Sequence, residues 1–292
     1  MAPRLGPTTV ETLDNGLRVL LRSLPGSAVV TSALIYRSGT RDEGPGQGGA
    51  AHFLEHMMFK GSTHFGPGEI DRRTQALGGS NNAFTSHDVT AYHFSFAADR
   101  WREALVLEAD RMRGLLLDPA EVASERQVIL EEIAMYANEP WDSLEMATTE
   151  RLFGAHPYGK PVLGTREELL SYDEKELRRF HAERYRPENA VLVIAGDLAS
   201  CGGEAAVLAT VEGAFAAIPV FPTPPREAAQ RNVAIPTDFP HEVVRLNREK
   251  GEVPRLLLAL PAPAAGDPER EPQRVRAELR VLDELTLIDD PR

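Results

Sequence analysis

His52, Glu55 and His56 stand inside the stretch AAHFLEHMMFKGS, residues 50–62, whose other members are mostly Ala, Phe, Leu and Met. A run of that kind buries a face, and three titratable groups within it cost free energy unless something pairs them. On a helix, residues four apart lie one above the other, so His52 and His56 can turn two imidazoles toward one ion. Glu55 follows His52 by three residues and lies beside the pair. A carboxylate there is poorly placed as a third ligand. It is well placed to hold a water next to a metal and to take its proton during attack on a carbonyl. The order His-x-x-Glu-His inverts the commoner His-Glu-x-x-His zinc motif. From these three residues alone, a helix whose histidines are satisfied by protein neighbours remains open, and a third ligand would decide against it.

The best candidate for that ligand lies in SERQVILEEIAMY. Glu125 and Glu132 are seven residues apart, two helical turns, and share a face with Ile129 and Tyr136. Glu131 is rotated by about 100° from Glu132 and falls on another side. Either glutamate alone would ordinarily form a surface salt bridge. Both occur on the face that the apolar spacing marks as inward.

The elements that must position these residues are readable around them. TVETLDNGLRVLLRS reads as two strands about Asn15-Gly16, a hairpin signal, and VVTSALIYRSG as a third strand. The Gly-rich loop GTRDEGPGQGG leads into the histidine helix. GEIDRRTQALGG reads as a short helix closed by Gly78 and Gly79, and NNAFTSHDVTAYHFSFAA as two strands, the second alternating at Tyr92, Phe94 and Phe96. Helices follow over 99–115 and from Asp118, where Asp caps, Pro119 takes the first position and Glu121 completes the start signal. Further helices are expected near 140–153, 173–185 and 203–218, with a buried strand in NAVLVIAGDL. Residues 219–240 carry six prolines and little periodicity, which reads as a linker. The expected organisation is a domain bearing the metal site over 1–218, the linker over 219–240, and the beginning of a second domain over 241–292.

Bulk properties exclude some classes. The chain has 292 residues, 42% hydrophobic and 26% charged, with a formal net charge of −12, so no nucleic-acid partner is expected. No run is long enough for a membrane span and the N-terminus has no apolar leader core, which makes the cytoplasm the expected location. The single cysteine, Cys201, excludes an internal disulfide and a multi-cysteine metal site, and its setting, SCGGE, reads as a solvent-side loop.

Three blocks, HFLEHMMFKGS (52–62), GGSNNAFTSHDVTAYHF (78–94) and ERQVILEEI (125–133), together resemble the signature blocks of the pitrilysin/insulinase family of zinc metallopeptidases, in its bacterial and processing-peptidase branch. PYGKPVLGT (157–165) and VLVIAGDL (191–198) add weaker matches in the same order. The resemblance implies an α+β fold with a mixed, mainly antiparallel sheet packed by helices. It implies Zn2+ held by His52, His56 and Glu132, Glu55 as general base, and Glu125 as a carboxylate behind the ligands. It further implies that Asn82, Ala83, Phe84 and Thr85 form the edge strand on which a peptide or unfolded-protein substrate is laid, in keeping with strand addition through main-chain hydrogen bonds. His87 and Asp88 read as structural. Members of the family resemble two homologous halves closing over a chamber, the second supplying an Arg and a Tyr after a Ser-Arg-Leu-like segment. No such stretch occurs here, so a homologous subunit supplying that half is an expected partner.

Overall fold

A computed structural model describes residues 8–220 and 256–259. The Asn15-Gly16 turn joins β1 (Thr8–Thr12) and β2 (Arg18–Ser23) as an antiparallel hairpin in which Thr12 faces Arg18. Gly16 sits at φ 86°, and a Cβ there would lie 2.8 Å from the Glu188 side chain, so both the turn and the packing require glycine. Asn15 is buried and donates to the carbonyls of Phe215 and Ile218, fastening the hairpin to the end of the described chain.

In chain order there follow β3 (Val29–Tyr36), α1 (Ala50–Met57), α2 (Glu69–Ala76), β4 (Ser80–Thr85), β5 (Thr90–Ala97) and α3 (Arg102–Gly114). Then come α4 (Pro119–Asn138), α5 (Pro140–Phe153), α6 (Arg166–Ser171), α7 (Glu174–Arg184), β6 (Ala190–Gly196) and α8 (Glu204–Phe215). The six strands form one sheet in the order β1-β2-β6-β3-β5-β4, with β2 and β6 parallel and the other neighbours antiparallel. The fold is α+β, as the resemblance implies.

Period-two alternation decides which face of this sheet is dry. In β3 the even positions Val30, Leu34 and Tyr36 are buried and lie opposite Phe96, Tyr92 and Thr90 of β5. That face joins Val19, Leu21, Leu192 and Ile194 to Phe53, Leu54 and Met57 of α1 and to Leu177 and Phe180 of α7 in one core. A smaller cluster, Phe65, Ile70, Phe94, Phe96, Ala104 and Leu107, lies beside it. Arg111 and Glu108 form a fully buried ion pair there, the guanidinium 4.2 Å from the Tyr92 ring centre and also over the Phe59 and Phe94 rings. Of the odd positions of β3, Thr31, Ala33 and Ile35 are half-buried and Val29 is exposed.

Three features differ from the sequence reading. Cys201 is buried, 4% exposed, because the turn after β6 folds back and brings its thiol against the Ala98 carbonyl. The polar and glycine neighbours that suggested solvent describe the turn and not the thiol. Helix α6 was not anticipated; it is six residues long, too short for an apolar period, and is started by the Thr165 side chain accepting from the Glu168 amide. The strand expected over 29–39 ends at Tyr36, where Ser38 to Asp42 turn beneath the β4–β5 connection through Thr40 N–H to Ser86 O and Arg41 N–H to His87 O. The linker over 219–240 and the second-domain stretch over 241–292 lie outside the described residues except for 219–220 and 256–259.

Candidate metal centre

Helix α1 crosses the sheet face with its apolar side inward, which leaves His52 and His56 on the side toward α4. His52 is 7% exposed and His56 half-buried. Helix α4 is started by Asp118, whose carboxylate accepts from the amides of Ala120 and Glu121, with Pro119 at its first position. Its inward face carries Val122, Glu125 and Ile129, all buried, and then Glu132; Glu131 points to solvent.

These two helices bring the candidate ligands together. His52 Nε2 lies 3.8 Å and His56 Nε2 3.6 Å from the same oxygen, Oε2 of Glu132. The donor atoms of the three residues all lie within 4.8 Å of one another. Those separations are too long for hydrogen bonds. They approach the roughly 3.4 Å between ligands that each sit about 2 Å from a tetrahedral ion. Among the described residues this is a group able to hold a metal ion, and two nitrogens with one carboxylate oxygen suit zinc.

The surroundings bias the protonation of each member of the group. Burial, helped by the neighbouring His56, pushes the pKa of His52 down to about 3, so the ring is neutral and free to ligate. His56 Nδ1 is 2.8 Å from Oε1 of Glu125, whose other oxygen is 2.6 Å from Lys60 Nζ. A carboxylate on Nδ1 fixes the tautomer that leaves Nε2 for a metal. Burial opposes a charge on His56, but Glu125, Glu132 and Glu55 outweigh it and raise its pKa. For Glu125 burial is likewise overcome, by His56 and Lys60, and its pKa falls. Burial raises Glu55 and Glu132, each with a second carboxylate adding to the rise. Lys60 balances Glu125, whereas Glu55 and Glu132 have no Lys or Arg within ion-pair distance among the described residues, and a divalent ion would bring them that charge.

Glu55 is not in this group of three. Its Oε2 accepts a 2.5 Å hydrogen bond from the hydroxyl of Thr85, the last residue of β4. Strand β4 is outermost in the sheet and pairs with β5. Along it Asn82 accepts from the Ala83 amide through its own side chain, Ala83 packs on the core and Phe84 is 52% exposed. Thr85 therefore faces Glu55, whereas Phe84 faces solvent. Asp88, in the β4–β5 turn, binds Arg41 and accepts from the Tyr158 hydroxyl, clamping that turn to two distant loops. Sequence reasoning missed Lys60, although it stands in the first block four residues after His56, and Glu43, a buried carboxylate before α1. A lysine in the same block, just beyond the end of α1, was the available signal for the first; nothing local marked the second.

Residues 18–166 match the insulinase family, peptidase family M16. The chain belongs to that family. Residues 171–281 match a second description within it, the peptidase M16 inactive domain. An uncharacterized zinc protease of Mycobacterium leprae is 38% identical over 187 residues, 64% of this chain and 42% of that relative. The crystal structure of a protease from Helicobacter pylori superposes with a TM-score of 0.71 at 29% identity, covering 80% of this chain and 53% of that one. The first half of the periplasmic protease PqqL from Escherichia coli shares the fold, with a TM-score of 0.70 at 22% identity over 81% of this chain and 50% of that one. The chain spans less than half the length of the M16 relatives it matches among curated proteins, 42% and 46% of the first two.

Proposed function

We propose that this chain is the metal-bearing part of a zinc-dependent endopeptidase that hydrolyses peptides or unfolded proteins. The observation that carries the reading is the convergence of His52, His56 and Glu132 with a fourth, non-ligating carboxylate, Glu55, beside them and next to an outermost strand. His52, His56 and Glu132 would hold the ion. Zinc bound there supplies Lewis acidity, which makes a water molecule acidic and a peptide carbonyl electrophilic. Glu55 takes the proton of the attacking water and passes it to the amine that leaves, so the carboxylate is regenerated at the end of the cycle. Thr85 holds one oxygen of Glu55 and leaves the other for that proton. The open edge of β4 at Asn82 to Thr85 binds the substrate main chain as an added strand.

A second reading rests on length. Because the match covers only 42% and 46% of the first two relatives, the chain would depend on a homologous second half for the electrostatic stabilisation that closes the reaction site. The deciding experiment is cleavage of a quenched fluorescent peptide mixture by the zinc-loaded chain, with and without a chelator. Chelator-sensitive cleavage supports the endopeptidase acting alone. A folded, zinc-loaded chain that cuts nothing supports the partner-dependent reading, and a chain that binds no zinc refutes both.

A further inference from the structure

Helix α1 starts in an unusual way. Its first flanking residue is Gly49, in the left-handed region at φ 82°, and no side chain at that position caps the helix. The start is nevertheless buried: Ala50 and Ala51 are 3% and 0% exposed. Amides at a buried helix start must find acceptors. Ala50 N–H goes to the Gln47 carbonyl, and those of Gly49 and Ala51 are met by one carboxylate from outside the helix. Oε2 of Glu43 accepts from Gly49 N–H at 3.1 Å, and Oε1 accepts from Ala51 N–H at 2.9 Å. Glu43 is itself 2% exposed, and no ion pair holds it within 4 Å among the described residues.

The loop that carries Glu43 to this place is tightly enclosed. A Cβ on Gly49 would stand 2.4 Å from the Leu163 carbonyl oxygen, and one on Gly48 would stand 2.0 Å from a Glu168 carboxylate oxygen. Tyr172 donates to the Gly48 carbonyl. The start of α1 is thus wedged between Glu43 on one side and residues 163–172 on the other. Ala51, the residue whose amide Glu43 holds, immediately precedes His52, and His56 is one turn on.

We infer that Glu43 is a positioning residue for the metal centre: by capping α1 with both carboxylate oxygens it fixes the height and rotation of the helix, and so where His52 and His56 stand against Glu132. The inference rests on the metal-centre reading above. Glutamine in its place keeps one acceptor and turns an N–H donor toward the other amide, and aspartate withdraws the carboxylate by one methylene. In either case the helix start is released while both histidines remain.

The test is zinc affinity of the whole chain by competition with a chromophoric chelator, for the parent, Glu43→Gln and Glu43→Asp, with a His52→Ala/His56→Ala chain as the blank. Each Glu43 variant should hold zinc roughly 10–100-fold more weakly than the parent, the scale of losing a group that orients a ligand, with an unchanged circular dichroism spectrum. A folded variant with parental affinity overturns the inference and leaves the metal centre standing. A parent no better than the blank overturns the metal centre itself. Amide exchange in the unsubstituted, zinc-free chain gives an answer that no folding defect can obscure. Gly49 and Ala51 should exchange slowly, and exchange of both at the rate of open chain overturns the cap.

Discussion

At the scale of single residues, the proposed division of labour makes Glu55 and Glu132 separable although both are carboxylates beside the same histidines. Glu132 Oε2 is the oxygen that both Nε2 atoms approach, whereas Glu55 is held away from the ligand set by Thr85. Glu55→Gln is therefore expected to keep zinc and to lose about 10²–10⁴-fold in hydrolysis, the usual worth of a general base. Glu132→Gln should weaken zinc retention. Parallel zinc and peptide assays check this, and a Glu55→Gln chain that cuts at the parental rate would remove Glu55 from its role. His181, far from these groups in sequence, sets a different sensitivity. Burial, with the charge of Arg178, lowers its pKa to about 4 against an ordinary 6.5. Between those values the unfolded chain binds a proton that the folded chain refuses, so stability falls as pH falls through that window. The loss reaches about 3 kcal/mol below pH 4 and about 2 kcal/mol at pH 5. Urea unfolding of zinc-free parent and His181→Gln at pH 7 and pH 5 measures it. The variant should lose less on acidification by that amount, and equal losses would mean that His181 is not the titrating group.

At the scale of elements, α1 and α4 differ in how far their ligands lie from their starts. Glu125 and Glu132 sit two and four turns into a helix of 20 residues, so its cap is remote from the site. Asp118→Ala should cost about 1 kcal/mol of stability and leave zinc affinity unchanged; thermal unfolding and the chelator competition read the two effects separately, and a matching loss of zinc would show that the start of α4 positions its ligands after all. The contrast with α1 also explains what was legible in the sequence. Local codes were: the Asn15-Gly16 turn, the Asp118-Pro119 start, the alternation in β3 and β5, and the four- and seven-residue spacings that put His52 with His56 and Glu125 with Glu132 on shared faces. What sequence could not give depends on side chains whose partners no spacing marks. Glu43 reaches a helix whose buried start is otherwise uncapped, and Asp88 meets Tyr158 across seventy residues. Cys201 is buried by a turn that packs under Ala98. None of these has a periodicity. For Asp88 and Cys201 the partner is met only once the chain between has folded, across seventy and about a hundred residues.

At the scale of the whole molecule, the candidate ligands come from two helices separated by α2, the β4–β5 hairpin and α3, so a bound ion would join parts of the fold that no disulfide can join. Binding to the folded chain alone raises stability by RT ln(1 + [Zn]/Kd), about 4 kcal/mol at a free zinc concentration a thousand times Kd. For a domain of this size each kcal/mol moves the midpoint by about 2–4 °C. Removing zinc with a chelator should therefore lower the unfolding temperature by about 10 °C, and the shift should vanish in His52→Ala/His56→Ala and shrink in Glu132→Gln. Scanning calorimetry at several fixed zinc concentrations checks both parts, since a true linkage makes the midpoint rise with the logarithm of zinc. The double-histidine chain also separates this effect from ions scattered over an acidic surface of net charge −12, which would stabilise parent and variant alike. A parent midpoint that ignores zinc would mean that α1 and α4 meet without an ion between them, and the crowded carboxylates Glu55 and Glu132, both raised by burial, would then have to be balanced by protonation instead.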